Sequence, residues 1–324
     1  MPTSRFHITA FVLSLVAALL VYGSWAWWPA TAPVWQAIDE RVFFTLNGSL
    51  AGREWWQAFW AFGNSDAFDV LAAATLAALL LSYSWDADRA RMFEKLSVAL
   101  WICFSIVIAV FIGKHGMAIN RESPSLLLKP TIHLTEAVGW IKAKDFSYDS
   151  YPSDHATVLL IVALSLTRLA SRRLIMLAWS ITLLFMLPRL TGGAHWFSDM
   201  AAGALPLALI ITTLFLDTPL LAYGTRLIHR AIDRPFFHEA LTIILNPEAP
   251  ILLAKGMAMG TADIIPGVSG GTIAYITGIW HRLIAAINRF NLAWFKLFFR
   301  LRWTEALALG HFRFLFPLLT GIAI

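Results

Sequence analysis

Residues 174–217 read LIMLAWSITLLFMLPRLTGGAHWFSDMAAGALPLALIITTLFLD, two long apolar runs joined by a short polar hinge. Each run approaches the roughly 20 residues an α-helix needs to cross a hydrocarbon core of about 30 Å, so the pair predicts two consecutive spanning helices. The hinge carries Arg189, His195 and Asp199. His195 and Asp199 are four residues apart; on a helix they share a face, and the carboxylate can hold one imidazole nitrogen while the other points at a substrate. Arg189 precedes them across a glycine pair that lets its guanidinium fold back and clamp a tetrahedral oxyanion. Taken alone, the same cluster also reads as polar residues capping or snorkelling at a membrane interface.

Composition places the whole chain in that environment. Of 324 residues, 58% are hydrophobic and 14% charged, with a mean hydropathy of +0.66, whereas soluble domains carry roughly 25% charged residues. The chain reads as an integral membrane protein, and Trp25, Trp27, Trp28, Trp85, Trp101, Trp140 and Trp196 read as an interfacial aromatic belt. The net charge of +5 is assigned to topology and anionic lipid, since nucleic-acid binding would want a basic soluble face. Cys103 is the single cysteine, so no internal disulfide can form.

Working outward, apolar runs predict six spans, at about 8–28, 67–84, 96–113, 155–170, 174–190 and 198–217. The first lacks a small-residue cleavage pattern and reads as a retained helix rather than a signal peptide. Val34 to Asn64 reads as an interfacial helical segment. One side collects Arg5, Arg89, Arg91, Lys95, Arg168, Arg172, Arg173, Arg226, Arg230 and Arg234. The other collects Arg41, Arg53, Lys114, Arg121, Lys129, Lys142, Lys144 and Arg189. With Lys114, Arg121 and Arg189 set aside for a site, the bias places the N-terminus in the cytoplasm and the loop from Lys114 to Ser153 outside.

Two further polar clusters fall on that outer side. Lys114 and Arg121 are seven residues apart, two helical turns, so a helix continuing through them would let both grip one phosphate; they also read as snorkelling cations. Tyr151-Pro-Ser-Asp-His155 stands at the head of the fourth span, with Ser153 or Asp154 available as the cap. The free N–H groups there suit a phosphate, and His155 is placed to protonate a leaving oxygen.

Lys114-x6-Arg121, Pro152-Ser-Asp-His155 and Arg189-x5-His195-x3-Asp199 together resemble the type-2 phosphatidic-acid phosphatase and vanadium haloperoxidase superfamily, over about residues 35–217. Its signatures are Lys-x6-Arg-Pro, Pro-Ser-Gly-His and Ser-Arg-x5-His-x3-Asp. The resemblance implies that His195, oriented by Asp199, attacks phosphorus to form a phosphohistidine and that His155 protonates the leaving group. It further implies that Lys114, Arg121, Arg189 and Ser153, with Asp154 beside them, form the phosphate site, with no metal and no cofactor. Glu122, Asp154 and Pro188 depart from the family's Pro, Gly and Ser; the Pro-Ser-Asp-His form looks like the branch that hydrolyses undecaprenyl diphosphate.

Past a Pro-punctuated linker at 218–249, the string from Lys255 to Ile284 contains Asp263-Ile-Ile-Pro266-Gly267-Val-Ser269-Gly270-Gly271 and Arg282. Apolar segments at about 250–262 and 272–287 flank the glycine break, which predicts a re-entrant, discontinuous helix pair. Gly256 and Gly260 also read as ordinary packing against a neighbouring helix. The string resembles the opening motif of the bacterial undecaprenyl-phosphate translocase family, the PopT-like proteins, which implies a lipid-phosphate path at Asp263, Ser269 and Arg282. Phe312 to Ile324 is short for a span, so this module is expected to be incomplete and not to transport by itself.

The sequence therefore predicts an all-α integral membrane protein: a six-span lipid-phosphatase bundle made of an N-terminal helix (1–34) and a phosphatase domain (35–217), then a linker (218–249) and a partial translocase-like module (250–324). It predicts hydrolysis of a membrane lipid (di)phosphate, foremost undecaprenyl diphosphate, in a bacterial inner membrane. Phosphatidate or phosphatidylglycerophosphate as substrate, or a polyprenyl-phosphate translocase or lipid-binding protein with an inactive phosphatase site, are the alternatives.

Overall fold

The computed structural model describes residues 8–117, 119–232, 242–243, 246–264, 269–300 and 302–323. They are helical without a strand among the described residues; one isolated bridge joins Ile119 to Tyr151. Two compact units result, Met1–Ile228 and His229–Ile324.

The first unit contains α1 (Ile8–Ala26), α2 (Ala32–Gly48), α3 (Glu54–Gly63), α4 (Asp66–Ser84) and α5 (Arg89–Gly116). The turns α6 (Pro124–Leu127) and α7 (Leu134–Ala137) follow, then α8 (Asp154–Leu169), α9 (Arg172–Thr191), α10 (Leu205–Leu216) and the greater part of α11 (Leu220–Ile232). A π-helical turn at Asp199–Ala204 leads into α10. Five described stretches are long and apolar enough to cross a membrane: α1, α4, α5, α9 and Asp199–Leu216. The chain is a multi-pass membrane protein.

The fourth expected span, α8, has only 16 residues, and ten of them are buried. It is apolar on every side because α4, α5, α9 and α10 surround it. A helix sheathed in protein, about 24 Å long at 1.5 Å per residue, need not match the lipid thickness. Its far end is fixed by Arg168, whose Nε donates to Asp217 Oδ2 at 2.9 Å. By contrast α1 exposes Ile8, Leu13 and Leu20, as a lipid-facing helix does.

The segment between the first two spans is two helices, α2 and α3, tied to the later chain by buried asparagines. Asn47 Nδ2 donates to the carbonyls of Ile132 and Thr191 at 3.0 and 3.1 Å. Asn64 Nδ2 donates to the Pro188 carbonyl at 2.7 Å. Trp27, Trp28, Trp85 and Trp140 are exposed as an aromatic belt requires, but Trp101 and Trp196 are buried in the bundle. Trp101 Nε1 donates to the Phe215 carbonyl. The first part of the expected linker is a helix, α11, whose Gly224 lies against the Trp101 ring.

The second unit contains α12 (Ala249–Ile264), α13 (Gly270–Ile276), α14 (Trp280–Ile287), α15 (Leu292–Phe299), α16 (Trp303–Leu309) and α17 (Phe312–Ala323). The apolar run at 272–287 is not one helix: Gly278, at φ +74°, turns the chain between α13 and α14. Gly256 and Gly260 let α12 approach the backbone of α17, so helix packing accounts for both glycines. The α16–α17 pair bends by 75°, the form of a broken span or re-entrant loop.

Candidate active site

A cavity of about 680 Å³ lies between α4, α5, α8 and the loop leading to Ser153. Lys114, Lys144, His155, Arg189 and His195 line its polar part, and Ala72, Ala73, Leu76, Val110, Val158 and Leu159 line its apolar part. Charged head and hydrocarbon wall in one cavity suit an amphiphile.

His195 owes its position to the glycine turn. Gly193 has φ +77°, and a Cβ there would stand 2.7 Å from Phe43 Cε2, so only glycine fits. The imidazole Nδ1 is 2.8 Å from the Ser150 carbonyl oxygen and 3.6 Å from Asp199 Oδ2. Because a carbonyl only accepts, Nδ1 carries the proton and Nε2 keeps its lone pair. Sequence reasoning assigned the orienting bond to Asp199; in the structure a backbone carbonyl takes it, with the carboxylate behind.

Asp199 is fully buried and spends its oxygens elsewhere. Oδ2 accepts the Trp196 N–H at 2.8 Å, and Oδ1 accepts from Arg121 Nη1 at 2.5 Å. Arg121 also donates to Ser198 Oγ at 2.8 Å and to Asp39 Oδ2 at 2.9 Å, with its guanidinium over the Trp25 and Trp196 rings. Burial pushes the Asp39 carboxyl above its ordinary range, against the lowering effect of the Ser198 hydrogen bonds and Arg121.

Arg121 therefore does not stand beside Lys114. Helix α5 stops at Gly116, so the two-turn stacking of these cations is not formed. Arg121 instead lines a separate cavity of about 440 Å³ with Trp25, Trp35 and Asp39. Ser153 is also withdrawn: fully buried, its Oγ caps α8 by accepting the Ala156 N–H at 3.4 Å. Asp154 lines the cavity and pairs with Lys114 at 3.2 Å, so the acid in the usual glycine's place neutralises a cation.

His155 and Arg189 reach the cavity from opposite helices. His155 Nε2 faces the Phe185 carbonyl at 3.2 Å and so donates, leaving Nδ1 on the side of Asp69 Oδ1 at 3.9 Å. Arg189 Nη2 donates to Asp69 Oδ1 at 2.6 Å. Lys144 Nζ donates to Asp69 Oδ2 at 2.6 Å and pairs with Asp66 at 2.5 Å, contacts that raise its pKa.

Asp69, Lys144, Asp39 and the Ser150 carbonyl were missed. Asp66 and Asp69 lie in the first turn of α4, where acids are common and carry no catalytic signature, Lys144 was counted only as an outside charge, and a carbonyl has no side-chain signature. In the second unit Asp263 Oδ1 accepts the Gly270 N–H at 2.5 Å, and the Ser269 hydroxyl accepts from Gly271 at 3.2 Å. Arg282 pairs with Glu248 at 2.6 Å over the Phe314 ring. These bonds brace the helix ends; Pro266 and Gly267 lie outside the described residues.

Residues 98–219 match the PAP2 superfamily model, and residues 259–324 match that of the VCA0040-like, undecaprenyl phosphate translocase-like family. Over 215 residues the chain is 28% identical to the lipid A 1-diphosphate synthase of Escherichia coli (strain K12), 66% of this chain and 90% of that protein. Over 73 residues it is 47% identical to the polyprenyl-phosphate transporter of Vibrio cholerae serotype O1, 21% of this chain and 22% of that protein. No solved structure matches.

Proposed function

We propose, for a chain that carries a PAP2 superfamily domain followed by an undecaprenyl phosphate translocase-like domain, that its first unit removes the terminal phosphate of a polyprenyl diphosphate, foremost undecaprenyl diphosphate. The observation that carries this reading is His195, its Nδ1 engaged by the Ser150 carbonyl, sharing one cavity with His155, Arg189 and an apolar wall. His155 first takes a proton on Nδ1, beside Asp69; His195 Nε2 attacks the terminal phosphorus, the bond from phosphorus to the bridging oxygen breaks, and the lipid monophosphate leaves with that Nδ1 proton. His155 then takes a proton from water, which attacks the phosphohistidine, breaks its N–P bond and releases inorganic phosphate and free His195. Arg189 and Lys114 offset the charge on the phosphoryl oxygens. The presence of a translocase-like segment in the same chain supports a polyprenyl phosphate as product, since that lipid is the cargo named for the transporter relative. The Lys and Arg bias supports a cytoplasmic N-terminus and an outward site in a bacterial inner membrane.

The test is phosphate release from undecaprenyl diphosphate by wild type and His195→Ala in EDTA. EDTA-resistant release that disappears in the variant supports the reading; an inactive wild type ends it.

A second reading keeps the intermediate and changes the acceptor. The relative aligned over 90% of its length is named for the synthesis of lipid A 1-diphosphate, which favours transfer of the phosphoryl group from His195 to a phosphorylated lipid in place of water. Labelling the terminal phosphate separates the two: label in inorganic phosphate means hydrolysis, and label in a second lipid means transfer.

A further inference from the structure

Asp69 does something unusual for an acid in an anion-binding cavity: it carries two of the cavity's cations at once. Its Oδ1 holds Arg189 and its Oδ2 holds Lys144, each at 2.6 Å. The cations come from far-separated elements, α9 and the loop after α7, so one carboxylate places them side by side. Their freedom differs sharply. The Arg189 side chain is 8% exposed, whereas that of Lys144 is 46% exposed and its second partner, Asp66, is 79% exposed. The Lys144 backbone is itself fixed, its N–H donating to the Asn64 carbonyl at 2.8 Å.

Arg189 is thus a rigid, deep cation, and Lys144 is a neighbouring cation nearer the mouth with one partner it can exchange. An ammonium with three donors can release the solvated Asp66 carboxylate for another anion while Asp69 keeps it in register. A diphosphate's second phosphorus lies only two P–O bonds from the first, and Arg189 and Lys144 share the two oxygens of one carboxylate, so a phosphoryl group held by Arg189 leaves the second phosphate within reach of Lys144. A monophosphate ester places no such anion there.

We propose that Lys144, latched to Asp69, binds the second, leaving phosphate of the substrate and so gives the site its preference for diphosphates over monophosphates. The assignment rests on the lipid-phosphatase reading for its substrate. Asp69 is a positioning residue in this scheme, and Lys144 is the residue that touches substrate.

The experiment uses the full chain in detergent with a polyprenyl diphosphate and the monophosphate of the same chain length, and, separately, binding of inorganic diphosphate and inorganic phosphate. In Lys144→Met the diphosphate-to-monophosphate ratio of kcat/KM should fall about ten-fold, as expected for loss of one charge-assisted contact. The binding ratio for the inorganic anions should fall in parallel, and Lys144→Arg should restore most of both. Asp69→Asn should lower the same ratio by loosening Lys144. Equal losses for both lipids and both anions would make Lys144 a loop latch only and overturn the proposal. If wild type releases no phosphate yet binds diphosphate in a Lys144-dependent way, the phosphatase reading fails while this assignment stands.

Discussion

The Nδ1 atom of His195 is 2.8 Å from the carbonyl oxygen of Ser150, closer than the 3.6 Å that separates it from Asp199. A carbonyl fixes the tautomer by itself, so in the proposed mechanism Asp199 is left to stabilise the positive charge that His195 would acquire on attack, while it anchors Arg121. Asp199→Asn should keep the correct tautomer and lower kcat about 10²-fold, with little change in KM, whereas His195→Ala removes the proposed nucleophile and should leave no measurable turnover. Steady-state kinetics of the two variants decide the matter; equal losses would mean that Asp199 is the orienter after all.

Arg121 belongs to the framework of the site. Its guanidinium bridges Asp39 and Asp199, whose side chains are 3% and 0% exposed. Removing one partner of a buried pair strands a charge, so Arg121→Ala should cost about 3–5 kcal/mol of stability. The expected readout is a large fall in melting temperature, with KM for lipid phosphate in the surviving protein moving far less than kcat. A large KM effect at unchanged stability would place Arg121 on the substrate instead.

Asp39 adds a pH signature to that framework. Burial is the largest influence on it and raises its pKa above the ordinary 3.8. A carboxyl whose folded pKa exceeds its unfolded value contributes stability that is present below the unfolded pKa and lost as pH rises through the folded one. The stability of wild type relative to Asp39→Asn should therefore increase as pH falls from neutral through this window towards 3.8. Chemical denaturation of both proteins across that range is the measurement, and a difference that shrinks on acidification contradicts the shift.

The spans were legible because a hydrocarbon solvent demands long apolar helices, and the motif spacings brought Lys114, His155, Arg189 and His195 to one cavity. What escaped were relationships set by distant partners. Arg121 turns away because α5 ends at Gly116 and because Asp39, 82 residues earlier, competes for it. Ser153 reads as a phosphate ligand or as a cap with equal ease, and packing selects the cap. Asp69 and Lys144 meet only once α4 and the 140s loop are folded together.

Asp154 stands where the superfamily resemblance implies glycine, and its Oδ2 is 3.2 Å from Lys114 Nζ. Ser153 is the helix cap, so the Asp154 side chain can be neutralised without loss of α8. The pair is well exposed, with side chains 60% and 38% accessible, and such pairs are worth about 0–1 kcal/mol. Asp154→Asn should leave the melting temperature nearly unchanged and lower KM for a lipid phosphate by about two- to five-fold, by freeing Lys114 and removing a repelling charge. A higher KM would mean that Asp154 is needed to hold Lys114 in place.

Gly193 tests whether the glycine turn is what aims His195. At φ +77° any side chain is strained, and an alanine Cβ would meet Phe43 Cε2 at 2.7 Å and Ser125 Cβ at 3.0 Å. The Ser125 contact cannot relax freely, because its N–H already donates to the Gly193 carbonyl at 3.2 Å. Gly193→Ala should therefore destabilise the protein by about 1–3 kcal/mol. It should also shift His195, two residues on, from its bond to Ser150, and displacements of about 1 Å can cost about 10²-fold in rate. Loss of kcat beyond what the fall in folded fraction explains, measured on protein shown to be folded at the assay temperature, is the expected result. Full specific activity in the folded fraction would show that the loop and not the glycine turn sets the imidazole.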